Sequence, residues 1–185
     1  MKELSLNILD IAENSVKAKA TLTEILIDED NEKLVITIKD NGCGMLPETV
    51  EAAQNPFYTT RTTRSVGMGI PLFSMQSEQT GGKMTLTSRH KSEFPDNHGT
   101  TISASFYKNH IDFTPLGDVV ASITTLIQGH PDTDFLFIHT FVNGKVELDT
   151  RSLREILGEE VPLNSYEVIK WVEEYLNEQY SDSLK

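Results

Sequence analysis

The most informative stretch of this chain reads Asp10-Ile11-Ala12-Glu13-Asn14-Ser15-Val16-Lys17-Ala18-Lys19-Ala20. On a helix, Asp10 and Asn14 stand one turn apart and project from the same face. Asparagine prefers caps and turns, so helix propensity does not account for an amide at position 14. An amide oxygen next to a carboxylate can bind a hard cation while the carboxylate orients a water molecule. A solvated polar helix face is the alternative interpretation of the pair alone.

Composition describes an ordinary globular chain whose second half is acidic. The 185 residues are 38% hydrophobic and 24% charged, which is typical of a soluble domain. Residues 1–108 carry 14 acidic and 11 basic side chains, whereas residues 109–185 carry 14 acidic and 5 basic ones. Phosphates and anionic lipids attract basic surfaces, so we expect no nucleic-acid or membrane partner. Cys43 is the one cysteine, and no secretory or spanning segment is recognisable, so we expect a cytoplasmic protein.

Hydrophobic periodicity predicts alternating helices and strands. The helical pattern falls at residues 4–18, 47–53, 71–80, 116–128, 151–157 and 165–179. The strand pattern falls at residues 23–28, 33–39, 83–89 and 100–107, with a later hairpin that turns at Asn143-Gly144. A shift in composition at 111–115 divides the chain into a domain of residues 1–108 and an acidic α+β segment of residues 109–185 with no assignable role.

The last predicted helix carries one aromatic-rich stripe. Val168, Trp171, Val172 and Tyr175 recur at helical spacing. Such a stripe most simply faces a core. A partner-docking face is the alternative.

Two glycines mark the turn that follows the second predicted strand, in Asp40-Asn41-Gly42-Cys43-Gly44-Met45. Glycines spaced by one residue let the backbone turn sharply and approach a flat ligand closely. The carboxylate of Asp40 can accept a charge-assisted hydrogen bond from an exocyclic amine such as that of adenine, worth about 1.5–3 kcal/mol. A plain Asp-Asn-Gly turn is the alternative.

A long polar connection over residues 54–69 is typical of a binding loop or lid. It ends in Gly67-Met68-Gly69-Ile70-Pro71-Leu72, which opens a predicted helix. Free backbone N–H groups and the helix dipole favour an anion such as phosphate there. Arg61, Arg64 and the hydroxyls upstream add phosphate donors. Neither the Rossmann nor the P-loop pattern is matched. A plain polar surface loop is the alternative interpretation of this stretch.

Taken in this order, the segments resemble the GHKL superfamily, the nucleotide-binding fold shared by DNA gyrase, the heat-shock chaperone, mismatch-repair ATPases and sensor histidine kinases. Residues 10–20 resemble its first box, with Asn14 as the magnesium ligand. Residues 40–45 resemble the box in which an aspartate, here Asp40, reads adenine. Pro56-Phe57-Tyr58-Thr59-Thr60-Arg61 is similar to the start of the histidine-kinase lid, and Gly67-Met68-Gly69-Ile70 to the glycine box at its end.

Two glycine-led strands complete the resemblance. They begin at Gly81-Gly82-Lys83-Met84 and Gly99-Thr100-Thr101-Ile102, and Thr100 falls where the family threonine supports the adenine site. The resemblance covers residues 3–108. It implies an α/β sandwich of the Bergerat type, with a mixed, mostly antiparallel sheet and helices on one face. It implies ATP and Mg²⁺ as cofactors, held by Asn14, Lys17, Asp40, Gly42, Gly44, Met45, Thr59, Thr60, Arg61, Gly67, Met68, Gly69, Ile70 and Thr100.

Two departures from the family pattern concern the reaction. Hydrolytic members carry glutamate as the water-activating base one turn before the asparagine, whereas this chain has the shorter Asp10, our candidate catalytic residue. Lys17, three residues after Asn14, fits the histidine-kinase branch instead. Only nine residues precede Asp10, so we expect no phosphoacceptor hairpin in this chain, and its five scattered histidines are expected to be ordinary residues.

Two functional hypotheses follow from these residues. The first is a cytoplasmic domain that binds ATP and magnesium and acts in trans, as an ATPase or a histidine- or serine-directed kinase, on an unidentified protein partner or phosphoacceptor. The second is a non-catalytic module in which nucleotide binding gates a protein interaction.

Overall fold

The computed structural model describes residues 3–54, 69–158 and 160–183. The strands within these ranges are β1 (Leu22–Glu29), β2 (Lys33–Asp40), β3 (Met84–Arg89), β4 (Gly99–Tyr107), β5 (Asp134–Phe141) and β6 (Gly144–Asp149). The helices are α1 (Leu4–Lys17), α2 (Pro47–Gln54), α3 (Gly69–Gln79), α4 (Val119–Gly129), α5 (Thr150–Leu157) and α6 (Tyr166–Ser183). Each element that the periodicity predicts is present, with its ends displaced by a few residues.

The six strands form one mixed sheet in the order β3-β4-β2-β1-β5-β6. All neighbours pair antiparallel except β1 and β5, which run parallel with Ile25 opposite Phe137. Thr23 at the start of β1 lies opposite Asp40 at the end of β2. The mixed, mostly antiparallel sheet that the resemblance implies is therefore confirmed.

Four helices cover one face of the sheet in an order that follows the strands. From β3 and β4 towards β6, this layer is α3, α1, α4 and α6, each in contact with the next and with the strands beneath it. The strands alternate buried and partly exposed residues, so one face is apolar. Ile8 of α1, Ile25, Ile36, Phe106 and Phe137 are fully buried between the layers, and this burial holds the two layers together.

The C-terminal residues extend the same sheet rather than standing apart from it. Strand β5 lies directly beside β1, and α4 packs against α1. The first turn of α1 donates backbone hydrogen bonds from Leu4 N to Pro115 O (3.0 Å) and from Ser5 N to Leu116 O (2.8 Å). The predicted boundary between residues 108 and 109 falls between β4 and α4 and stays a prediction.

Helix α6 corrects one expectation. Val168, Val172 and Leu176 are buried, whereas Trp171 and Tyr175 are 46% and 37% exposed. The prediction of a core-facing stripe is therefore wrong for the two aromatic residues. The buried ridge follows an i, i+4, i+8 line between α4 and β6, and Trp171 and Tyr175 form the neighbouring ridge, which faces outward with its rings stacked at 4.8 Å. Helices of the length and apolar character needed to cross a bilayer are absent from the described ranges.

Candidate functional site

The carboxylate of Asp40 stands at the carboxyl end of β2 and ties three segments together. Ser15 of α1 donates its hydroxyl to Oδ2 at 2.9 Å. The backbone N–H groups of Gly42 and Thr100 donate to Oδ1 at 2.9 and 3.3 Å. Helix α1, the loop of residues 40–45 and the start of β4 therefore meet at one side chain.

Two opposed effects set the protonation of Asp40. Burial raises the pKa of this carboxyl above its ordinary value because the charged form loses solvation. The hydrogen bonds from Gly42, Ser15 and Thr100, and the nearby His98, lower the pKa and offset part of that rise. The net pKa is raised, because the loss of solvation outweighs the hydrogen bonds.

Glycine is required in the loop of residues 40–45 at Gly44. Its φ is +68°, and a Cβ there would lie 2.0 Å from the carbonyl oxygen of Arg89 at the end of β3. A side chain would therefore strain the backbone and collide with the neighbouring strand. Gly42 is also tightly placed, since a Cβ there would lie 2.9 Å from Ala18, the C-cap of α1. The sharp turn that the two glycines predicted is thus present, and close packing against Ala18 and Arg89 explains why both positions are glycine.

Thr100 and Met45 meet through a residue that the sequence did not single out. Ser88 of β3 accepts a hydrogen bond from Met45 N at 2.8 Å, and its hydroxyl lies 2.9 Å from that of Thr100 and donates to Gly99 O at 3.1 Å. Thr100 itself is buried. This network fixes the exit of the 40–45 loop against β3 and β4.

Helix α1 presents the other predicted residues beside this loop. Asn14 is partly exposed and immediately precedes Ser15, the residue bound to Asp40. Asp10, one turn earlier, lies against the first residue of α3, because a Cβ on Gly69 would stand 2.2 Å from its Oδ2. Lys17 is exposed in the last turn of α1. The structure thus brings Asp10, Asn14, the 40–45 loop and the N-terminus of α3 together.

The remaining predicted residues divide into two groups. Ile70 is buried in the core, and Met45 packs against the core from a partly buried position. The predicted lid residues Thr59, Thr60, Arg61, Gly67 and Met68 lie outside the described residues.

Sequence reasoning missed the side chains that hold the site in place. Ser15 sits in the apolar stripe of α1, where a buried hydroxyl needs a partner, so its position was a usable signal. Asn41 accepts from the backbone N–H groups of Thr21 and Leu22 at 2.9 and 3.0 Å, which fastens the loop to the start of β1. His98 Nδ1 donates to Gly42 O at 2.5 Å, a contact with no signature in the sequence.

Comparison with known proteins identifies the class to which this geometry belongs. A family model described as the histidine kinase-, DNA gyrase B- and HSP90-like ATPase matches residues 2–110. The chain belongs to this family.

Two curated relatives and two solved structures are similar over different parts of the chain. A protein of Shewanella frigidimarina (strain NCIMB 400) named as a sensor is 29% identical over 44% of the chain, and the sensor histidine kinase ZraS of Salmonella typhi is 26% identical over 48%. These matches span only 13% and 19% of the two relatives. The MutL ATPase domain of Aquifex aeolicus complexed with ADP aligns over 85% of this chain and 68% of its own, with 20% identity and a TM-score of 0.53.

The N-terminal domain of a DNA repair protein aligns over 86% of this chain and 58% of its own, with 17% identity and a TM-score of 0.55. At these identities the likeness shows the fold alone. Coverage of this extent is more than residues 2–110 can supply, so the likeness of fold continues into the C-terminal segment.

Proposed function

We propose that the chain binds ATP with Mg²⁺ between α1, the 40–45 loop and the N-terminus of α3, and acts as an ATPase or protein kinase on a separate protein partner. The observation that supports the proposal is that α1 reaches the 40–45 loop through the Ser15–Asp40 hydrogen bond and the first residue of α3 through Asp10, with Asn14 between these two contacts in the sequence. ADP is the ligand of the Aquifex MutL domain of similar fold.

The hydrogen bonding of Asp40 fits an adenine amine. An ionised carboxylate has about four lone-pair positions for hydrogen bonds. Gly42, Thr100 and Ser15 fill three of them. One acceptor position remains on Oδ2, as recognition of an N–H donor requires. Thr100 and Ser88 hold the carboxylate in place for that contact.

The groups around Asn14 fit a metal ion that arrives with the nucleotide. Mg²⁺ uses one or two protein oxygens and completes its shell with phosphate and water. Within the described ranges, no group of three or more His, Cys, Asp or Glu side chains forms a separate cation site. The amide of Asn14 would supply the protein ligand, and the ion would neutralise phosphate charge. Lys17 and the lid residues Thr59, Thr60, Arg61, Gly67 and Met68 are proposed to contact the phosphates.

The proposal assigns the water-orienting role to Asp10. Its place one turn from Asn14 puts a carboxylate on the helix face that carries the metal ligand. A base in that position accepts the proton of the attacking group. A kinase would present a partner hydroxyl or imidazole at the same point.

Calorimetric titration tests nucleotide binding directly. ATP and ADP, each with and without Mg²⁺, are titrated into the wild type and into Asp40→Asn. We expect the variant to bind at least about 10-fold more weakly, because a hydrogen bond to a charged group is worth about 1.5–3 kcal/mol. Asp149→Asn, at a partly exposed carboxylate that caps α5 and pairs with Arg151, is the control. Equal affinity in the wild type and Asp40→Asn would refute the assignment.

Labelled ATP separates the two reactions. Transfer of label to a partner protein indicates a kinase, and acid treatment then distinguishes acid-labile phosphohistidine from acid-stable phosphoserine. Release of free phosphate alone indicates an ATPase.

A nucleotide-gated interaction module is the second candidate, and the position of Asp10 favours it. The carboxylate lies at the N-terminus of α3, where the helix dipole stabilises an anion, so it has a structural role there. Multiple-turnover phosphate release that is abolished by Asn14→Ala would exclude this candidate. In either case, we propose a cytoplasmic location, supported by the single cysteine, and a domain boundary near residue 108, supported by the end of the family match at residue 110.

A further inference from the structure

A groove runs between α5 and α6 on the C-terminal side of the molecule. Its cavity volume is about 630 Å³, and Leu153, Ile156, Leu157, Val161, Val168 and Trp171 form its apolar wall. A second depression of about 450 Å³ continues it past Trp171 towards Tyr175 and Gln179. Because the two share Leu153, Ile156 and Trp171, they form one continuous surface, which we call the α5–α6 groove.

The α5–α6 groove exposes apolar area that the fold does not use. Ile156 is 80% exposed and Trp171 is 46% exposed. In the parts of the chain that the structure describes, five of the twelve exposed large apolar side chains lie between Ile156 and Tyr175. Scattered apolar residues are normal on a surface, but a contiguous patch of this kind marks an interaction site.

Charge distinguishes the possible occupants. Residues 145–183 carry ten acidic and four basic side chains. The four basic residues all pair with carboxylates, namely Lys145 with Glu147, Arg151 with Asp149, Arg154 with Asp134 and Lys170 with Glu174. Glu160 and Glu167, which line the groove, have no cationic partner among the described residues. The rim is therefore negative around an apolar floor.

This charge pattern selects a basic partner. A second copy of the chain would place one acidic rim against another, which like-charge repulsion opposes. An apolar segment flanked by Lys or Arg would instead cover Ile156 and Trp171 and meet the glutamates. From Glu167 to Gln179, α6 spans about 18 Å at 1.5 Å per residue, the length of a three-turn helix.

We propose that the α5–α6 groove docks a basic amphipathic helix of a partner protein, with its apolar face on Ile156 and Trp171. Helix-in-groove recognition uses apolar anchors at i, i+3, i+4 and i+7, and the acidic rim sets the orientation of the flanking cations. The inference does not depend on the nucleotide site, since the residues that line the groove are different ones from Asp10, Asn14 and Asp40.

The test uses a synthetic helical peptide of about 14 residues, near 20 Å long, with leucine on one face and lysine on the other. Matched peptides carry glutamate in place of lysine, or the same residues in scrambled order. Trp171 is the one tryptophan of the chain and reports occupancy through its emission. Anisotropy of the labelled peptide gives the affinity for the full chain.

We expect the lysine peptide to shift Trp171 emission to shorter wavelength and to bind more weakly as salt increases. Ile156→Asn should weaken binding at least tenfold, since it removes an apolar side chain that the bound peptide would bury. Ile111→Asn changes a side chain that is 96% exposed outside the groove and should leave affinity within twofold. Glu160→Lys with Glu167→Lys should weaken binding several-fold and remove most of its salt dependence. Asp40→Asn should bind the peptide normally, so failure of the nucleotide proposal is seen separately.

Four results would overturn the inference. The first is no emission change up to about 1 mM peptide. The second is equal binding of the glutamate or scrambled peptide. The third is an equal loss of affinity in Ile111→Asn and Ile156→Asn. The fourth is a concentration-dependent dimer, seen by sedimentation, that Ile156→Asn dissolves, because the groove would then belong to a second copy.

Discussion

The hydrogen-bond network around Asp40 and the α5–α6 groove are built in opposite ways. The network gathers polar groups from distant parts of the chain, such as Ser15, Asp40, Ser88 and Thr100, and satisfies them with hydrogen bonds at about 3 Å. The groove is made by neighbouring stretches of sequence and leaves apolar side chains without cover. A site that must recognise fixed polar atoms is closed and pre-organised. A docking surface can stay open until its partner arrives.

The largest effect is expected on turnover, from a substitution at Asp10. Asp10→Asn should lower phosphate release about 10²–10⁴-fold while ATP still binds, since it removes a proton acceptor and keeps the shape of the side chain. Turnover is measured with a coupled phosphate assay, and nucleotide affinity by calorimetry.

Glu13→Gln provides the control for that substitution. Glu13 is a carboxylate on the same helix, but it binds His130 Nε2 at 2.7 Å instead of facing α3. We expect its turnover to stay close to wild type. Unchanged turnover in Asp10→Asn would remove the base from the mechanism and leave the gated module as the better account.

Substitutions at two glycines, Gly44 in the 40–45 loop and Gly158 at the end of α5, test how tightly the two regions are packed. Gly44 has φ +68° with backbone 2.0 Å from the position of a Cβ, and Gly158 has φ +72° with nothing within 4 Å. Gly158→Ala should cost about 1–2 kcal/mol of the free energy of unfolding, from backbone strain alone, because φ +72° with ψ −179° is a conformation that residues other than glycine rarely adopt. Gly44→Ala should cost about 3 kcal/mol, because strain adds to a collision that displaces β3. Urea denaturation measures both, and equal losses would show that the 40–45 loop is no more tightly packed than the end of α5.

The protonation of Asp40 gives opposite pH dependences to stability and binding. Its pKa is raised in the folded protein, so between the ordinary carboxyl value and the raised value the folded state binds more protons than the unfolded state. This residue's contribution to stability therefore falls as pH rises through that window. The affinity for ATP should rise over the same window, by up to about tenfold per pH unit, because only the ionised carboxylate accepts the adenine amine.

Calorimetry and denaturation between about pH 4 and 7 measure the two profiles. Asp40→Asn should flatten both. Asp149→Asn should leave the ATP profile unchanged, since the pKa of Asp149 is lowered by its hydrogen bonds with Arg151 and lies outside the window. An ATP affinity that is independent of pH in the wild type would contradict the acceptor role of Asp40.

The same comparison explains what could be predicted from the sequence. Asp40 was recognisable from its place at the end of a predicted strand, in a segment that resembles a family box. Gly44 was recognisable because a positive φ restricts the residue types that a position accepts. Ser88 was not recognisable, because a serine in an exposed-looking strand gains its partners only when β3 lies beside β4. The groove itself was not predicted, and a docking face of α6 was only the alternative to a core-facing stripe. Periodicity defines an apolar face of α6 but not which ridge of that face α4 and β6 cover.

The smallest effect is expected at His139 of β5, the strand next to the β6 edge of the sheet, where α6 is fastened to the strands. Buried His139 of β5 lies 2.8 Å from the hydroxyl of Tyr180 and 3.1 Å from Glu29, which also binds Lys108 at 2.5 Å. Burial lowers the pKa of His139, so its ring is neutral at pH 7, with Nε2 donating to Glu29 and Nδ1 accepting from Tyr180. Tyr180→Phe leaves Nδ1 without this donor and should cost about 1–2 kcal/mol of the free energy of unfolding.

Tyr166→Phe changes a tyrosine that is 76% exposed on the same helix and should stay within about 0.5 kcal/mol of wild type. If the proposed nucleotide site is energetically independent of α6, neither substitution should alter ATP affinity by more than about twofold, a change of roughly 0.4 kcal/mol. Urea denaturation and calorimetry on the two variants measure these quantities. A fall in ATP affinity that parallels the lost stability of Tyr180→Phe would instead show that α6 is coupled to the proposed nucleotide site. Because α6 forms one wall of the α5–α6 groove, nucleotide binding would then affect the binding of a partner in that groove.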